Sequence, residues 1–264
     1  MKISLIQYSS GNDLREDFDK AMSLAKEAVL KNPDIICFPE DFLRPQNDNY
    51  FTMQSFEIKS FQAFAKENNV NLILGSVNVK DNSKKKATNT CFIIDRSGKI
   101  VHRYDKIFMY KINKNGVAYD ETAEVKPGKR LGLFELDGIK MGVGICVDIR
   151  FSFYFASLVR CGAKIIFLPA VMRKITGAKL WKVLPIARAI ECQTYFCANS
   201  QMGNKGGSKT GDAVGNSKII SYDGGIISEI GEEEGICTAE IDLKKQEIFR
   251  NEILMLDQFN RKFH

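Results

Sequence analysis

Apolar positions along the chain switch between a strand period and a helix period. Ile3 to Tyr8 is a short apolar run that reads as a strand. Asp13 then offers a helix N-cap with Glu16 three residues on, and Leu14, Phe18, Ala21, Ala25 and Val29 follow at helical spacing. Asn32-Pro33 stops that helix. Ile35-Ile36-Cys37-Phe38 is continuously apolar, as in a strand covered on both faces, and it ends at Pro39-Glu40. A second helix is expected over about Ser55 to Asn68, and a second buried strand over Asn71 to Val77.

Two hairpins follow. Cys91–Asp95 and Ile100–Tyr104 flank Arg96-Ser97-Gly98-Lys99, and Leu133–Leu136 and Ile139–Ile145 flank Asp137-Gly138. Helices are expected over Ser152–Arg160 and Ala178–Cys192, with strands over Lys164–Pro169 and Thr194–Asn199. Ser217 to Ile241 reads as a meander with turns at Asp223-Gly224-Gly225 and Glu232-Glu233-Glu234-Gly235. Helices alternating with apolar strands, with hairpins between them, imply an α/β layered domain with one mixed sheet or two packed together. No linker rich in Pro, Gly or Ser and no short-period repeat interrupts the 264 residues, which are expected to form one domain, 1–264.

Composition narrows the function. Hydrophobic residues at 44% and charged residues at 27% exclude a disordered chain. The net charge is +6, but its most obvious run, Lys84-Lys85-Lys86, sits in a polar stretch and reads as a solvated loop. A nucleic-acid site would show a longer basic stripe or basic residues interleaved with aromatics, so no nucleic acid is expected. Seven cysteines without a CxxC, and only two histidines, His102 and His264, give no zinc pattern; no metal or organic cofactor is expected. Met1–Tyr8 is too short for a signal peptide, and no apolar stretch approaches a membrane span. A soluble, cytoplasmic protein is expected, and unpaired thiols suit that reducing compartment.

Three residues at strand ends carry the candidate chemistry. Cys146 closes a strand and precedes a helix, where backbone N–H groups favour a thiolate. A buried structural cysteine is the competing reading. Glu40 follows a buried strand and a proline, and the edge of an α/β sheet is where sites form. Lys106 lies between the strand Ile100–Tyr104 and the apolar run Ile107-Phe108-Met109-Tyr110. Each of these two also reads as an ordinary strand-end charge, but together they supply a nucleophile, a carboxylate and a cation. The histidines offer no Cys–His pair. Gly203-Asn204-Lys205-Gly206-Gly207-Ser208-Lys209-Thr210 fails the phosphate-loop pattern, because Ser208 occupies a required glycine position and the segment leads towards a strand.

These residues resemble the nitrilase, or carbon–nitrogen hydrolase, superfamily. Phe38-Pro39-Glu40, Tyr104-Asp105-Lys106-Ile107 and Gly142-Val143-Gly144-Ile145-Cys146-Val147-Asp148-Ile149-Arg150-Phe151 are similar to its three signature blocks. Trp181 with Ala187-Arg188-Ala189-Ile190-Glu191, and Gly215-Asn216-Ser217, match later segments in family order. The resemblance implies a four-layer α-β-β-α sandwich with two mixed β-sheets, and a homodimer or higher homo-oligomer. It implies Cys146 as nucleophile, Glu40 as general base, Lys106 with the Val147 N–H as oxyanion stabiliser, and Glu121 as a second glutamate positioning the substrate. The similar branch is omega-amidase-like, which removes ammonia from monoamides of short dicarboxylic acids.

A small amide is thus the expected substrate. A carbamoyl-amine or carbamoyl-amino-acid hydrolase, a nitrilase and a catalytically silent binding protein are the alternatives. Lys111, Arg150, Arg173 and Lys174 near the candidate pocket loops (Asn47–Ser55, Lys111–Asp120 and Met172–Lys179) suggest a negatively charged substrate. Arg150 has a structural alternative, a pairing with Asp148 or Glu121. The chain departs from the family at Phe108 and Leu180, where histidines are common, and at Ser152-Phe153, where Pro-Glu is common. Phe153 and Leu180 are candidates to line an apolar pocket instead.

Overall fold

The computed structural model describes residues 1–44, 50–80, 86–114, 116–204, 207–208 and 210–260. Its first half runs β1 (Lys2–Gln7), α1 (Leu14–Val29), β2 (Ile35–Cys37), α2 (Phe56–Glu67), β3 (Asn71–Val79), β4 (Thr88–Ile94), β5 (Ile100–Asp105), β6 (Lys111–Lys114) and β7 (Val117–Asp120). The second half runs β8 (Leu133–Leu136), β9 (Ile139–Val143), α3 (Ser152–Arg160), β10 (Ile165–Ala170), α4 (Lys174–Cys192) and β11 (Tyr195–Ser200). It ends with β12 (Met202–Gly203), β13 (Ala213–Val214), β14 (Lys218–Ile220), β15 (Ile226–Glu229), β16 (Gly235–Glu240) and α5 (Leu243–Glu252).

Two six-stranded mixed sheets result, ordered β16-β1-β2-β3-β4-β5 and β15-β14-β11-β10-β9-β8. In the first, β1, β2 and β3 are parallel; in the second, β9, β10 and β11 are parallel. Strand alternation explains the layering. Ile3, Leu5, Ile35, Cys37, Ile73, Cys91 and Ile93 share one core with Met141, Val143, Ile165 and Phe167 of the other sheet. Their chain neighbours Ile6, Ile36, Leu72, Leu74, Phe92 and Ile94 join Phe18, Ala21, Ile58 and Phe61 of α1 and α2 in a second core. Helices α3 and α4 cover the outer face of the second sheet. The fold is the four-layer α-β-β-α sandwich.

The local signals mostly hold. Asp13 caps α1, accepting from the amides of Arg15 and Glu16. Asp137 (φ 50°) and Gly138 (φ 74°) make the left-handed turn that joins β8 to β9. Three expectations need correction. Helix α4 begins at Lys174, four residues before Ala178, and carries Pro185 inside it. The segment Lys111–Asp120, expected as a pocket loop, carries the paired strands β6 and β7. The Ser217–Ile241 segment is not one meander: β14 and β15 pair in the second sheet, while β16 crosses to the first and pairs with β1, Lys2 opposite Glu240. Helix α5 follows it and was not anticipated. Of the residues singled out in the sequence, Lys84, Lys85, Lys205, Gly206, Lys209, His264 and part of Asn47–Ser55 lie outside the described residues.

The Glu40 segment is seated by close backbone packing on β3. The Phe38 amide donates to the Ile73 carbonyl (3.0 Å), and the Ser76 amide donates to the Pro39 carbonyl (3.3 Å). A Cβ at Gly75 would lie 1.9 Å from the Pro39 oxygen and 2.2 Å from that of Phe38. Backbone cannot yield there as a flexible side chain would. Gly75→Ala is therefore expected to destabilise the fold by about 1–3 kcal/mol, the usual cost of overpacking, and to displace Glu40. A melting temperature equal to the wild type would show that the contact is not close.

Candidate active site

Four chain reversals deliver the candidate residues to one place. Glu40 follows β2 and Pro39. Lys106 follows β5, its amide donating to the Asn89 carbonyl (2.9 Å) and its carbonyl accepting from Gly128 (2.7 Å). Glu121 opens a single 3-10 turn, Glu121–Ala123, after the β6–β7 hairpin. Cys146 opens another, Cys146–Arg150, just past β9, with its backbone left-handed at φ 47°. Asp148 holds that turn: it accepts from the Ile145 amide (2.7 Å), the Tyr104 hydroxyl (2.7 Å) and the Phe108 amide (3.1 Å). Burial pushes the Asp148 carboxyl up to about 6, against these hydrogen bonds. The first amides of a helical turn have no partner within it, and Val147 is the second residue of this one, so its N–H is a candidate donor to a ligand in the cavity.

Lys106 is the centre of the site. It is 2% exposed, and its Nζ donates to Glu40 Oε1 (2.8 Å) and to both oxygens of Glu121 (2.9 and 3.0 Å). Asn89 Nδ2 donates to Glu40 Oε1 (3.0 Å) and to Glu121 Oε1 (3.4 Å). The Val171 amide donates to Glu40 Oε2 (2.7 Å), and the Tyr110 amide to Glu121 Oε2 (2.7 Å). Cys146 Sγ donates to the Val171 carbonyl (3.7 Å), and the Glu40 carboxylate is close enough to act on the thiol as well.

Burial alone would raise the Glu40 carboxyl, but Lys106 and the donors around it hold it below the usual carboxylate range. Burial alone would lower Lys106, but Glu40 and Glu121 hold it well above the usual lysine value. Burial, and then the Glu40 charge, push the Cys146 thiol well above its ordinary value, with Lys106 pulling the other way. The resting site is therefore a protonated thiol beside an ionised carboxylate and an ammonium.

Cys146, Glu40, Lys106, Glu121, Val147 and Arg150 all line one cavity of about 750 Å³. Arg150 does not pair with Asp148 or Glu121; it is exposed and donates from Nη2 to the Thr176 carbonyl (3.1 Å). The cationic rim is smaller than the sequence suggests. Lys111 pairs with Asp120 (2.8 Å) and Lys174 with Glu232 (2.8 Å), both at the surface. The departures from family pattern do not make an apolar cavity. Phe108 stacks on Phe151 with centroids 3.7 Å apart, Phe153 is 63% exposed on α3, and Leu180 packs against the core. Sequence reasoning missed Asn89 and Val171. Asn89 is a buried amide within the polar start of β4, a setting that only the strand pairing reveals. Among the described residues no group of His, Cys, Asp and Glu is arranged to hold a metal ion.

A four-layer sandwich that buries charged groups against a thiol at a cavity wall defines a class, that of a hydrolytic enzyme. The chain belongs to the carbon-nitrogen hydrolase family, which matches residues 2–250, and acts on a C–N bond other than a peptide bond. It is 31% identical to the omega-amidase NIT2 of Xenopus tropicalis over 258 residues, covering 96% of this chain and 92% of that relative. Among solved structures, the C. elegans NitFhit protein aligns with a TM-score of 0.90 at 26% identity, over 99% of this chain and 65% of that one. Saccharomyces cerevisiae Nit3, of the nitrilase superfamily, aligns with a TM-score of 0.88 at 25% identity, over 99% and 97%. No helix among the described residues is long and apolar enough to cross a membrane.

The charge arrangement has a measurable signature. Alkylation of Cys146 by iodoacetamide, followed by peptide mass spectrometry, is expected to keep rising above the ordinary thiol value of about 8.5. Glu40→Gln removes the negative neighbour and leaves Lys106, so its midpoint is expected to fall by about one pH unit or more. An unchanged or higher midpoint would mean that Glu40 does not act on the thiol.

Proposed function

We propose that the chain hydrolyses a small linear amide through a thioester on Cys146 and releases ammonia. The observation that carries this reading is Lys106, buried between Glu40 and Glu121 while Glu40 also faces the Cys146 thiol at the cavity wall. In this reading Glu40 takes the thiol proton as sulfur attacks the amide carbon. Lys106 and the Val147 N–H receive the oxyanion; losing one such donor typically costs about 2.7–4 kcal/mol. Collapse breaks the C–N bond, and Glu40 returns the proton to the leaving nitrogen. Glu40 then takes a proton from water, which attacks the thioester, and the thiol and a carboxylic acid are restored. Glu121 fixes Lys106 and Asn89 and so the position of the carbonyl.

The likeness to an omega-amidase supports an amide bearing a carboxylate, and Arg150, Arg44 and Arg173 line the cavity to meet it. We also infer a homodimer through the α3–α4 layer, supported by the exposure of Phe153 (63%), Val183 (60%) and Ile190 (51%). The seven cysteines are free, which fits a cytoplasmic location.

A panel of amides, carbamoyl compounds and nitriles, assayed for ammonia and carbon dioxide, tests the reaction. Amides are expected to release ammonia alone; carbon dioxide would assign a carbamoyl hydrolase. Amides with a terminal carboxylate are expected to exceed their neutral methyl analogues in kcat/KM, and the reverse order would remove the charged-substrate reading. Cys146→Ala is expected to lose turnover while keeping its melting temperature, and a wild-type acyl adduct should be trappable on Cys146. Full activity in Cys146→Ala would falsify the mechanism.

Glu40 and Lys106 act as one unit in this scheme. Glu40→Gln and Lys106→Ala are each expected to lower turnover by about a hundredfold or more, with the double variant scarcely worse than the poorer single. Losses that simply multiply, in proteins shown to be folded by circular dichroism, would argue against a shared step.

A further inference from the structure

The cavity wall carries a second group of charges that takes no part in the proposed bond-breaking steps: Asp41, Arg44 and Arg173. The group adjoins the sulfur by chain connectivity. Asp41 follows Glu40 directly. Arg173 lies two residues past Val171, whose amide binds Glu40 and whose carbonyl accepts the Cys146 thiol.

Asp41 is held in a left-handed conformation, φ 50°, a region that aspartate adopts more readily than most residues with a side chain. Its backbone is fixed from three sides. Ser10 Oγ (2.9 Å) and Gln201 Nε2 (2.8 Å) donate to its carbonyl, and its amide donates to Ser76 Oγ (3.3 Å). These three hydrogen bonds fix the backbone from which the Asp41 side chain reaches the cavity wall. Yet the carboxylate itself takes no hydrogen bond or close ion pair among the described residues, and neither does the Arg44 guanidinium. Arg173 donates Nη1 to the Gly211 carbonyl (2.7 Å) and presents the rest of its half-buried guanidinium to the cavity.

The three groups act on one another without neutralising one another. Burial, and then the Glu40 charge, push the Asp41 carboxyl up to about 6, with Arg44 pulling it back. Burial, and then Arg44, lower Arg173. Tyr119 of the β6–β7 hairpin lines the same cavity. Two confined cations invite an anion, and one confined carboxylate invites a cation.

We propose that Asp41, Arg44 and Arg173 form a specificity subsite for an α-amino-acid group. The arginines take the α-carboxylate, Asp41 takes the α-ammonium, and the preferred substrates are ω-amides of α-amino acids. This rests on the amide reading above and assigns the half of the substrate that is not cleaved. A carboxylate alone would satisfy the arginines but meet repulsion from Asp41; the ammonium turns that repulsion into a charge-assisted hydrogen bond. Arg150 is exposed, is tied to Thr176, and lines both this cavity and an adjoining outer one, so it serves approach rather than this subsite.

Binding to Cys146→Ala, where no turnover intervenes, tests the inference. Calorimetric titration compares glutamine with glutaramate and asparagine with succinamate, pairs that differ only in the α-amino group. In at least one pair the amino compound is expected to bind about tenfold tighter or more. Adding Asp41→Asn is expected to cut that preference to about twofold or reverse it, and adding Arg173→Met to weaken the amino compound about tenfold. Asp41→Ser gives the same readout should Asp41→Asn fail to fold. Tighter or equal binding of the desamino amides in both pairs, no binding in either pair, or a preference that survives both Asp41 variants overturns the subsite. Wild-type turnover of the same compounds separates the two readings. Hydrolysis of desamino amides with no amino preference sinks the subsite alone. An amino preference in binding without hydrolysis of any amide sinks the amidase reading alone.

Discussion

One buried ammonium organises this molecule. Taking an unpaired lysine out of water costs several kcal/mol, and only close, fully bonded partners offset that cost. Lys106 finds them in Glu40 and Glu121, but two carboxylates against one ammonium leave an excess negative charge. The Asn89 side chain and the amides of Val171 and Tyr110 donate to that excess. The partners come from β4 and the ends of β2, β5 and β10, together with the turn after β7, so both sheets must be in register before the lysine is satisfied. Removing one partner from such a set is expected to cost about 3–5 kcal/mol, because an uncompensated charge stays buried. The geometry proposed for catalysis is thus also a constraint on the sandwich.

The same environment separates Cys146 from the other thiols. Burial is the main lift on Cys37, at the end of β2, and Cys197, within β11, and no carboxylate or ammonium contributes to either shift. Those thiols are inert packing. The Cys146 thiol is likewise pushed well above its ordinary value, but here part of the push comes from the Glu40 carboxylate, the group that takes the thiol proton in the proposed reaction. Its left-handed backbone points the sulfur towards Val171 and Glu40 rather than into the core.

What the sequence made legible follows from how local each signal is. Glu40 and Cys146 each end an apolar run, Lys106 precedes one, and each falls in a block of family-like residues. Asn89 was hidden because Thr88-Asn89-Thr90 looks like turn chemistry, and only the pairing of β4 with β3 and β5 shows it to be strand interior. The aim of Asp41 was illegible for a related reason. Its left-handed backbone is set by Ser10 and Gln201, which are distant in sequence and local only in the fold. The crossing of β16 to β1 is likewise a long-range pairing, while the turns that flank it are short-range and were read correctly. Periodicity gave the elements, the family resemblance implied the four layers, and contact across layers decided the site.

Charge flow ties these points together. In the proposed reaction the proton that leaves Cys146 goes to Glu40, so the net charge of the buried group does not change; it only moves from carboxylate to sulfur and on to the substrate oxygen. At that moment Glu40 becomes neutral and loosens its hold on Lys106. The ammonium keeps Glu121 as an anchor, through both carboxylate oxygens, and gains a free donor when an oxyanion first needs one. A single glutamate would have to choose between holding the lysine and accepting the proton. Two glutamates divide those tasks, which gives a physical reason for burying two carboxylates around one ammonium rather than one.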